Sequence, residues 1–289
     1  MIIVLTGPTG SGKSDLAISL AKTLGAAIIN ADAFQVYKEL NIATAKPTPS
    51  QMAEVPHYLF DFLPLTQDYD APSYQKDARR TIEELSSKYP HLIIAGGTGL
   101  YIRSALYDYE FVEERKVDLS SYQSMDDDEL YKVLLSMDEE SARKTHPHNR
   151  RRVLRAIEIC LSSGRKKSEI EKEQTHAPIY HCLFLGLTKE REDVYASCNE
   201  RVERMFEMGL LDENKALFEK YGTSPHAFQA IGVKETIPYF EGRATLEETK
   251  ELIKKNTRNY VKRQLTFFAH QFDLKPVSNL EDILALIKR

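Results

Sequence analysis

The sequence predicts an α/β protein: a parallel sheet covered by helices on both faces, with a helical domain inserted into it. Three observations carry this. Short runs that are apolar at consecutive positions alternate with longer segments of helical period, the pattern of strands buried on both faces and joined through helices. The loops after three of these runs are rich in glycine and hydroxyls or carry an acid, as expected where parallel strands present their carboxyl ends to a ligand. After Tyr107 the strand pattern stops, and it returns only near Tyr180.

Residues 2–7 (IIVLTG) read as the first strand. The next segment places Leu16, Ala17, Leu20, Ala21 and Leu24 on one stripe and stops at Gly25, a helix with its C-terminal signal. Residues 26–32 (AAIINAD) are a second strand, closed by Asp32. Residues 73–89 read as a charged helix, and residues 91–97 (HLIIAGG) as a third buried strand. Residues 108–140 are acidic, with Glu113, Glu114, Asp126 to Glu129, Glu139 and Glu140, whereas residues 143–172 are basic. Within them Leu130, Val133, Leu134 and Met137, then Val153, Ala156, Ile157 and Cys160, recur at helical spacing. The α/β core is therefore assigned to 1–110 and 179–289, and the helical insertion to 111–178. Residues 180–187 (YHCLFLGL) resume the strand pattern, and helices follow over 193–208, stopped by Gly209, and over 246–272.

Apolar residues make up 42% of the 289-residue chain, enough for a packed core, and the net charge of −4 means that any nucleic-acid surface must be local. Cys160, Cys182 and Cys198 are too far apart for a CxxC metal site and odd in number, which predicts free buried thiols in a reducing compartment. No apolar run approaches the ~20 residues of a membrane span. The N-terminus shows neither a basic region nor a cleavage site. A cytoplasmic monomer without membrane contact is expected.

The first loop, Gly7-Pro8-Thr9-Gly10-Ser11-Gly12-Lys13-Ser14, matches GxxxxGK followed by Ser or Thr, between a strand and a helix. Its glycines let amides turn inward on an anion, and the following helix adds the positive end of its dipole. Lys13 is placed to neutralise phosphate charge and Ser14 to ligate Mg²⁺; a nucleotide such as ATP also fits a loop of this kind. The expected core is thus a P-loop NTPase-like sheet. An enzyme that moves a phosphoryl group commonly holds its metal with an acid on a neighbouring strand end. Here the strand at 91–97 ends in Ala95-Gly96-Gly97, with no carboxylate. Asp32 closes the other strand and has three readings: a metal ligand, a general base, or a helix N-cap. Gly96-Gly97-Thr98-Gly99 allows close backbone approach and offers one hydroxyl.

Taken together, the anion loop, NADAFQVYKELNIATAKP (30–47), VPHYLFD (55–61), AGGTGLY (95–101), HPHNRRRVLRAIEI (146–159), RVERMFEMGLLDEN (201–214), AIGVKE (230–235) and NTRNYVKRQLTFF (256–268) resemble the tRNA dimethylallyltransferase family, also called tRNA isopentenyltransferases. The resemblance runs in order over nearly the whole chain. It implies transfer of the five-carbon group of dimethylallyl diphosphate to N6 of the adenine just 3′ of the anticodon, with Mg²⁺ assisting and diphosphate leaving. On that reading the loop holds a diphosphate, so the absent carboxylate is no obstacle. Asp32 would take the amine proton, Thr98 would orient the amine, and Lys13, Arg201 and the loop amides would stabilise the departing charge. The residues implied to meet the tRNA anticodon stem-loop are Asp32, Ala33, Phe34, Gln35 and Thr98 at the base, and Arg151, Arg152, Val153, Leu154 and Arg155 in the basic run. Gln264 and Phe267 could support the site or simply pack. The chain departs from the family at Ala33, often Ser; Ala43, often Gly; His148, which interrupts the usual His-Pro-Asn-Asp; and Phe267, often Trp. Three rival readings remain at this point: an isopentenyltransferase acting on free adenine nucleotides, a P-loop small-molecule kinase, and a non-enzymatic P-loop tRNA-binding protein.

Overall fold

The computed structural model describes residues 1–111, 115 and 117–288. Glu113 and Glu114 of the acidic stretch lie outside the described residues. The chain divides into two compact units, one made of Met1–Leu106 with Pro178–Arg289, the other of Tyr107–Ala177. The corresponding limits drawn from the sequence were 110/111 and 178/179.

The larger unit contains a six-stranded sheet in the order β3-β2-β4-β1-β5-β6, with all pairings parallel. The strands are β1 (Ile2–Thr6), β2 (Ala27–Asn30), β3 (His57–Tyr58), β4 (Leu92–Gly96), β5 (Cys182–Leu187) and β6 (Lys275–Val277). Four of them were legible as apolar runs; β3 and β6 are edge strands of two and three residues, too short for any periodicity. The helices of this unit are α1 (Lys13–Leu24), α2 (Pro49–Glu54), α3 (Ala71–Ser86) and α4 (Gly99–Leu106), then, after the five helices of the insertion, α10 (Arg191–Glu207), α11 (Leu210–Tyr221), α12 (Ile237–Phe240), α13 (Leu246–Gln271) and α14 (Leu280–Ile287).

Alternation along the strands explains the layers. Ile3, Leu5, Ile28, Ile93 and Leu185 form one core with Ala17, Leu20 and Ala21 of α1 and Ile283 of α14. Val4, Ile29 and Ile94 are equally buried and, being one residue out of phase, face the opposite side, where α3 and α4 pack. Register matters most at the upper edge. Thr6 pairs with Gly96 and Gly186, and Asn30 with Ala95, so the loops after β1, β2 and β4 leave the sheet at one level.

The insertion holds α5 (Ser120–Gln123), α6 (Asp127–Met137), α7 (Glu139–Arg143), α8 (Arg150–Ser163) and α9 (Lys167–Glu173). Leu130 and Leu134 pack on Val153, Ala156 and Ile157 as a small core of its own. A buried carboxylate ties its shorter helices. Asp138 accepts hydrogen bonds from Ser141 N and Oγ (3.0 and 2.6 Å) and from Ser168 N and Oγ (2.8 and 2.7 Å). Burial alone would raise its pKa; those donors outweigh burial and hold it well below the usual carboxylate range.

Candidate active site

The anion loop is shaped by its glycines and braced from two distant helices. Gly10 and Gly12 have φ of 81° and 86°, and Gly12 is the N-cap from which α1 starts at Lys13. Thr9 N donates to Gln264 Oε1 on α13 at 3.0 Å, and Cys198 Sγ on α10 donates to Thr9 O at 3.3 Å. Ser11 Oγ is buried against Gly7 and has no hydrogen-bond partner among the described residues.

Asp32 lies two residues past the end of β2 and is half-buried. No helix begins there, so the N-cap reading is set aside. Instead Asp32 Oδ1 accepts from Phe34 N at 2.9 Å in a tight turn, and its other carboxylate oxygen has no donor among the described residues. Asn30, fully buried, holds the backbone on either side: its Oδ1 accepts from Asp32 N at 2.9 Å, and its Nδ2 donates to Asp32 O and Leu59 O. Thr98 locks this turn to the next loop. Its Oγ1 accepts from Ala33 N at 3.0 Å, and its N donates to Ala31 O at 3.0 Å.

Glycine is required where these loops touch. A Cβ on Gly96 would sit 2.2 Å from the Ala31 carbonyl, and one on Gly97 would sit 2.3 Å from Gln264 Nε2. Gln264 Nε2 instead donates to Gly97 O at 3.0 Å, alongside Tyr260 Oη at 3.3 Å. Gln264 thus bridges the anion loop and the β4 loop from one buried side chain. Phe267 packs directly over Gly99, where a Cβ would be 2.3 Å from its ring.

The two larger of the cavities that reach Asp32 are a cleft and a chamber. A cleft of about 860 Å³ is lined by Thr9 to Ser14, Asp32, Gln35, Arg201 and Arg204. A chamber of about 200 Å³ is lined by Thr9, Asp32, Phe34, Arg201, Tyr260 and Arg263, with apolar walls from Ala43, Val202, Met205, Ile231 and Ile253. Thr9, Asp32 and Arg201 line both. Burial lowers the Lys13 pKa to about 8, with the Asp32 charge opposing and the Arg201 charge assisting. Burial also lowers the Arg201 pKa, again against Asp32. Both cations are therefore short of anionic partners, and a bound anion would relieve them. Arg201 Nη2 donates to Thr44 O at 3.4 Å, a carbonyl it shares with Gln35 Nε2 at 3.0 Å.

The structure therefore brings together Gly7 to Ser14, Asp32, Gln35, Thr98 and Arg201, with Ala33 as a backbone donor and Phe34 facing the chamber. In the insertion, Arg151, Arg152 and Arg155 are exposed on α8. Val153, expected among the tRNA contacts, is fully buried in the insertion core and Leu154 packs against that core; helical period turns Val153 inward. The basic run is also less free than its composition implies. Arg143, Lys144, Arg150, Arg165 and Lys167 each pair with a nearby acid, and Arg155 pairs with Glu158 at 2.7 Å. Arg151 and Arg152 have no such partner among the described residues. Of the cysteines, Cys198 is buried while Cys160 and Cys182 are half-buried, and all are free.

The sequence alone leaves Gln264 open between packing and support of the site and does not single out Tyr260. The available signal was a glutamine on the buried stripe of α13, which also carries Thr257, Val261 and Phe268.

The IPP transferase family model matches residues 35–271. The chain belongs to the IPP transferase family. A tRNA dimethylallyltransferase of Bacillus licheniformis is 41% identical over 97% of this chain and 93% of its own. A tRNA delta(2)-isopentenylpyrophosphate transferase from Staphylococcus epidermidis, solved by crystallography, superposes with a TM-score of 0.74 at 36% identity, covering 99% of this chain and 98% of that one. A eukaryotic dimethylallyltransferase described as acting on tRNA superposes at 0.84 with 31% identity, covering 97% of this chain and 74% of that one. The IPP transferase match starts just after Asp32, so the anion loop and Asp32 join the family through these near-full-length relatives.

No helix among the described residues is long and apolar enough to cross a membrane. No cluster of three or more His, Cys, Asp or Glu there could hold a metal unaided. Ser14, exposed, and Asp32 line the same cleft, a sparse oxygen set that suits Mg²⁺, which keeps waters and takes phosphate oxygens.

Proposed function

We propose that this protein transfers the dimethylallyl group of dimethylallyl diphosphate to N6 of the adenine 3′ of the anticodon in tRNA. The supporting observation is the position of Asp32, a carboxylate shared by an anion-binding cleft and an apolar chamber. The diphosphate would lie on the amides of Gly7 to Ser14 with Lys13 and Arg201, and the five-carbon chain in the chamber against Val202, Met205 and Ile253. Ser14, with Asp32 nearby, would hold Mg²⁺, which supplies further neutralisation of the diphosphate charge. The adenine would meet Phe34, which lines the chamber, and an unpaired loop base is cheaply extruded to reach it.

In the reaction the bond between the allylic carbon and the diphosphate oxygen breaks and its electron pair leaves with diphosphate. The N6 lone pair forms the new C–N bond, and the amine proton passes to the free oxygen of Asp32. An exocyclic adenine amine is a weak nucleophile, so a positioned base contributes about 10²–10⁴-fold. The cationic groups act on charge that grows on the leaving oxygen. Arg151, Arg152 and Arg155 are proposed to contact tRNA phosphates, with Val153 and Leu154 setting the helix on which they stand. A monomer working where tRNA is abundant, in the cytoplasm, suffices for this chemistry.

The test is incubation with dimethylallyl diphosphate, Mg²⁺ and unmodified tRNA, followed by mass spectrometry of the nucleosides. Prenylated adenosine in tRNA, and none on free AMP, is expected. Asp32→Asn keeps the acceptor for Phe34 N and should lose about 10²–10⁴-fold in kcat. Label passing from the γ-phosphate of ATP to an acceptor, with no prenylated product, refutes the proposal.

A further inference from the structure

We infer that Glu213 and Asn214, consecutive residues of α11, are positioning residues that set the two walls of the chamber for the prenyl donor; the inference rests on the reaction proposed above. Successive helical side chains point about 100° apart, and these two reach different segments. Glu213 Oε2 accepts from Asn41 N and Ile42 N at 3.0 Å each, and its Oε1 from Ile42 N at 3.0 Å and Ala43 N at 3.3 Å. Three consecutive backbone amides thus converge on one carboxylate. Asn214 is fully buried, and its Nδ2 donates to Gly232 O at 2.8 Å and Thr236 Oγ1 at 3.1 Å.

Both clasped segments line the chamber, one through Ala43 and Thr44 and the other through Ala230, Ile231 and Lys234. They also touch each other: a Cβ on Gly232 would lie 3.5 Å from Ala43 Cβ. The Gly232 amide is fixed as well, donating to Glu235 Oε2 at 2.8 Å.

The segment held by Glu213 leads directly to Thr44, whose carbonyl receives Arg201 and Gln35. Ala45, next in line, has φ of 46°, a conformation a non-glycine residue keeps only when its surroundings enforce it. Glu213 and Asn214 line neither cavity. They act through others: Glu213 through Thr44 on the guanidinium that meets the diphosphate, Asn214 through Gly232 on the apolar wall.

The experiment compares Glu213→Gln and Asn214→Ser with the unaltered protein. Gln keeps the size and one acceptor oxygen but turns an N–H toward amides that need an acceptor. Melting curves give the folded fraction at the assay temperature. KM for dimethylallyl diphosphate should rise about tenfold or more, the effect of losing charge-assisted hydrogen bonds. Inorganic diphosphate should bind more weakly to Glu213→Gln, a readout independent of turnover. A merely structural role predicts unchanged KM and unchanged diphosphate affinity, with kcat falling only in proportion to the folded fraction, and that result overturns the inference. An inactive unaltered protein would instead refute the reaction, and diphosphate binding would still decide the role of Glu213.

Discussion

Gln264→Leu isolates what one buried amide does for the anion loop. Leucine has nearly the same volume, so packing on Gly97 and its surroundings is little disturbed. Two hydrogen bonds vanish: the acceptor for Thr9 N at 3.0 Å and the donor to Gly97 O at 3.0 Å. Gly97 O keeps Tyr260 Oη at 3.3 Å, so its loss is that of one ordinary bond, about 0.5–1.5 kcal/mol. Thr9 N keeps no other acceptor among the described residues, which costs about 1–3 kcal/mol if no water reaches it. Thr9 is half-buried and faces the cleft, so the lower end applies and the sum is about 2 kcal/mol. At about 2–4 °C per kcal/mol for a chain of this order of size, the melting temperature should drop by about 4–8 °C. KM for dimethylallyl diphosphate should rise, because Thr9 is the loop residue that lines both cavities. Gln264→Glu supplies the discriminating control. It retains the acceptor for Thr9 N yet adds negative charge beside the anion loop, so it should harm KM more than Leu does. Melting curves and steady-state kinetics on the two variants test this. A Gln264→Leu protein that melts with the unaltered one and keeps its KM refutes the argument that the loop is held from α13.

Three further outcomes follow from charge and burial. The Lys13 pKa lies at about 8 against an ordinary 10.5, so dimethylallyl diphosphate binding should weaken as pH rises through 8 and should take up protons there, read by calorimetry in buffers of different ionisation enthalpy. The same lowering means that the unliganded fold binds fewer protons than the unfolded chain over that window, so the Lys13 contribution to stability rises between about pH 8 and 10.5, and Lys13→Met should flatten it. Arg151→Glu with Arg152→Glu should weaken tRNA binding and reduce its salt dependence, since every phosphate the protein neutralises adds about one unit to the salt slope; unchanged affinity at every salt concentration would exclude α8 from the RNA surface. Asp138→Ala strips four hydrogen bonds from the insertion and should destabilise it by about 3 kcal/mol or more, seen as faster amide exchange over residues 139–173 with the sheet unaffected. Because the folded-state pKa of Asp138 is depressed, that contribution is complete above the ordinary carboxylate range and is lost progressively as pH falls from the ordinary carboxylate pKa toward the depressed folded one.

The parts of the molecule legible in the sequence were those with local signals. β1, β2, β4 and β5 are consecutive apolar residues, and the glycine loop declares its own conformation because few other residues tolerate φ near 80°. Asp32 could be found as a strand-end acid, but its freedom could not. Whether its second oxygen is available depends on Asn30, which takes over the backbone on either side of it, and on the absence of a helix after it. Val153 was misplaced for the opposite reason: a motif read as a block of five residues ignores that a helix sends its third member inward.

What could not be read was pairing at a distance. Thr9 meets Gln264 across 255 residues, and Ile42 meets Glu213 across 171; composition shows a glutamine on an apolar stripe and an acid on a charged helix, but not whose amides they hold. The same limit applies to charge. The basic run looked like one RNA-binding surface, yet helical spacing lets acids four residues away neutralise Arg143, Lys144 and Lys167. Specific contact with a polyanion needs cations without such competitors, and on α8 that condition singles out Arg151 and Arg152. In the catalytic unit the same reasoning points to Lys13 and Arg201. Both are cations that burial disfavours, with Asp32 the acid whose charge opposes that effect at each, and both line the same cleft. A bound anion would offset the cost of burying both charges. A diphosphate, bearing several negative charges and leaving after each turnover, is a ligand of the right sign and lifetime.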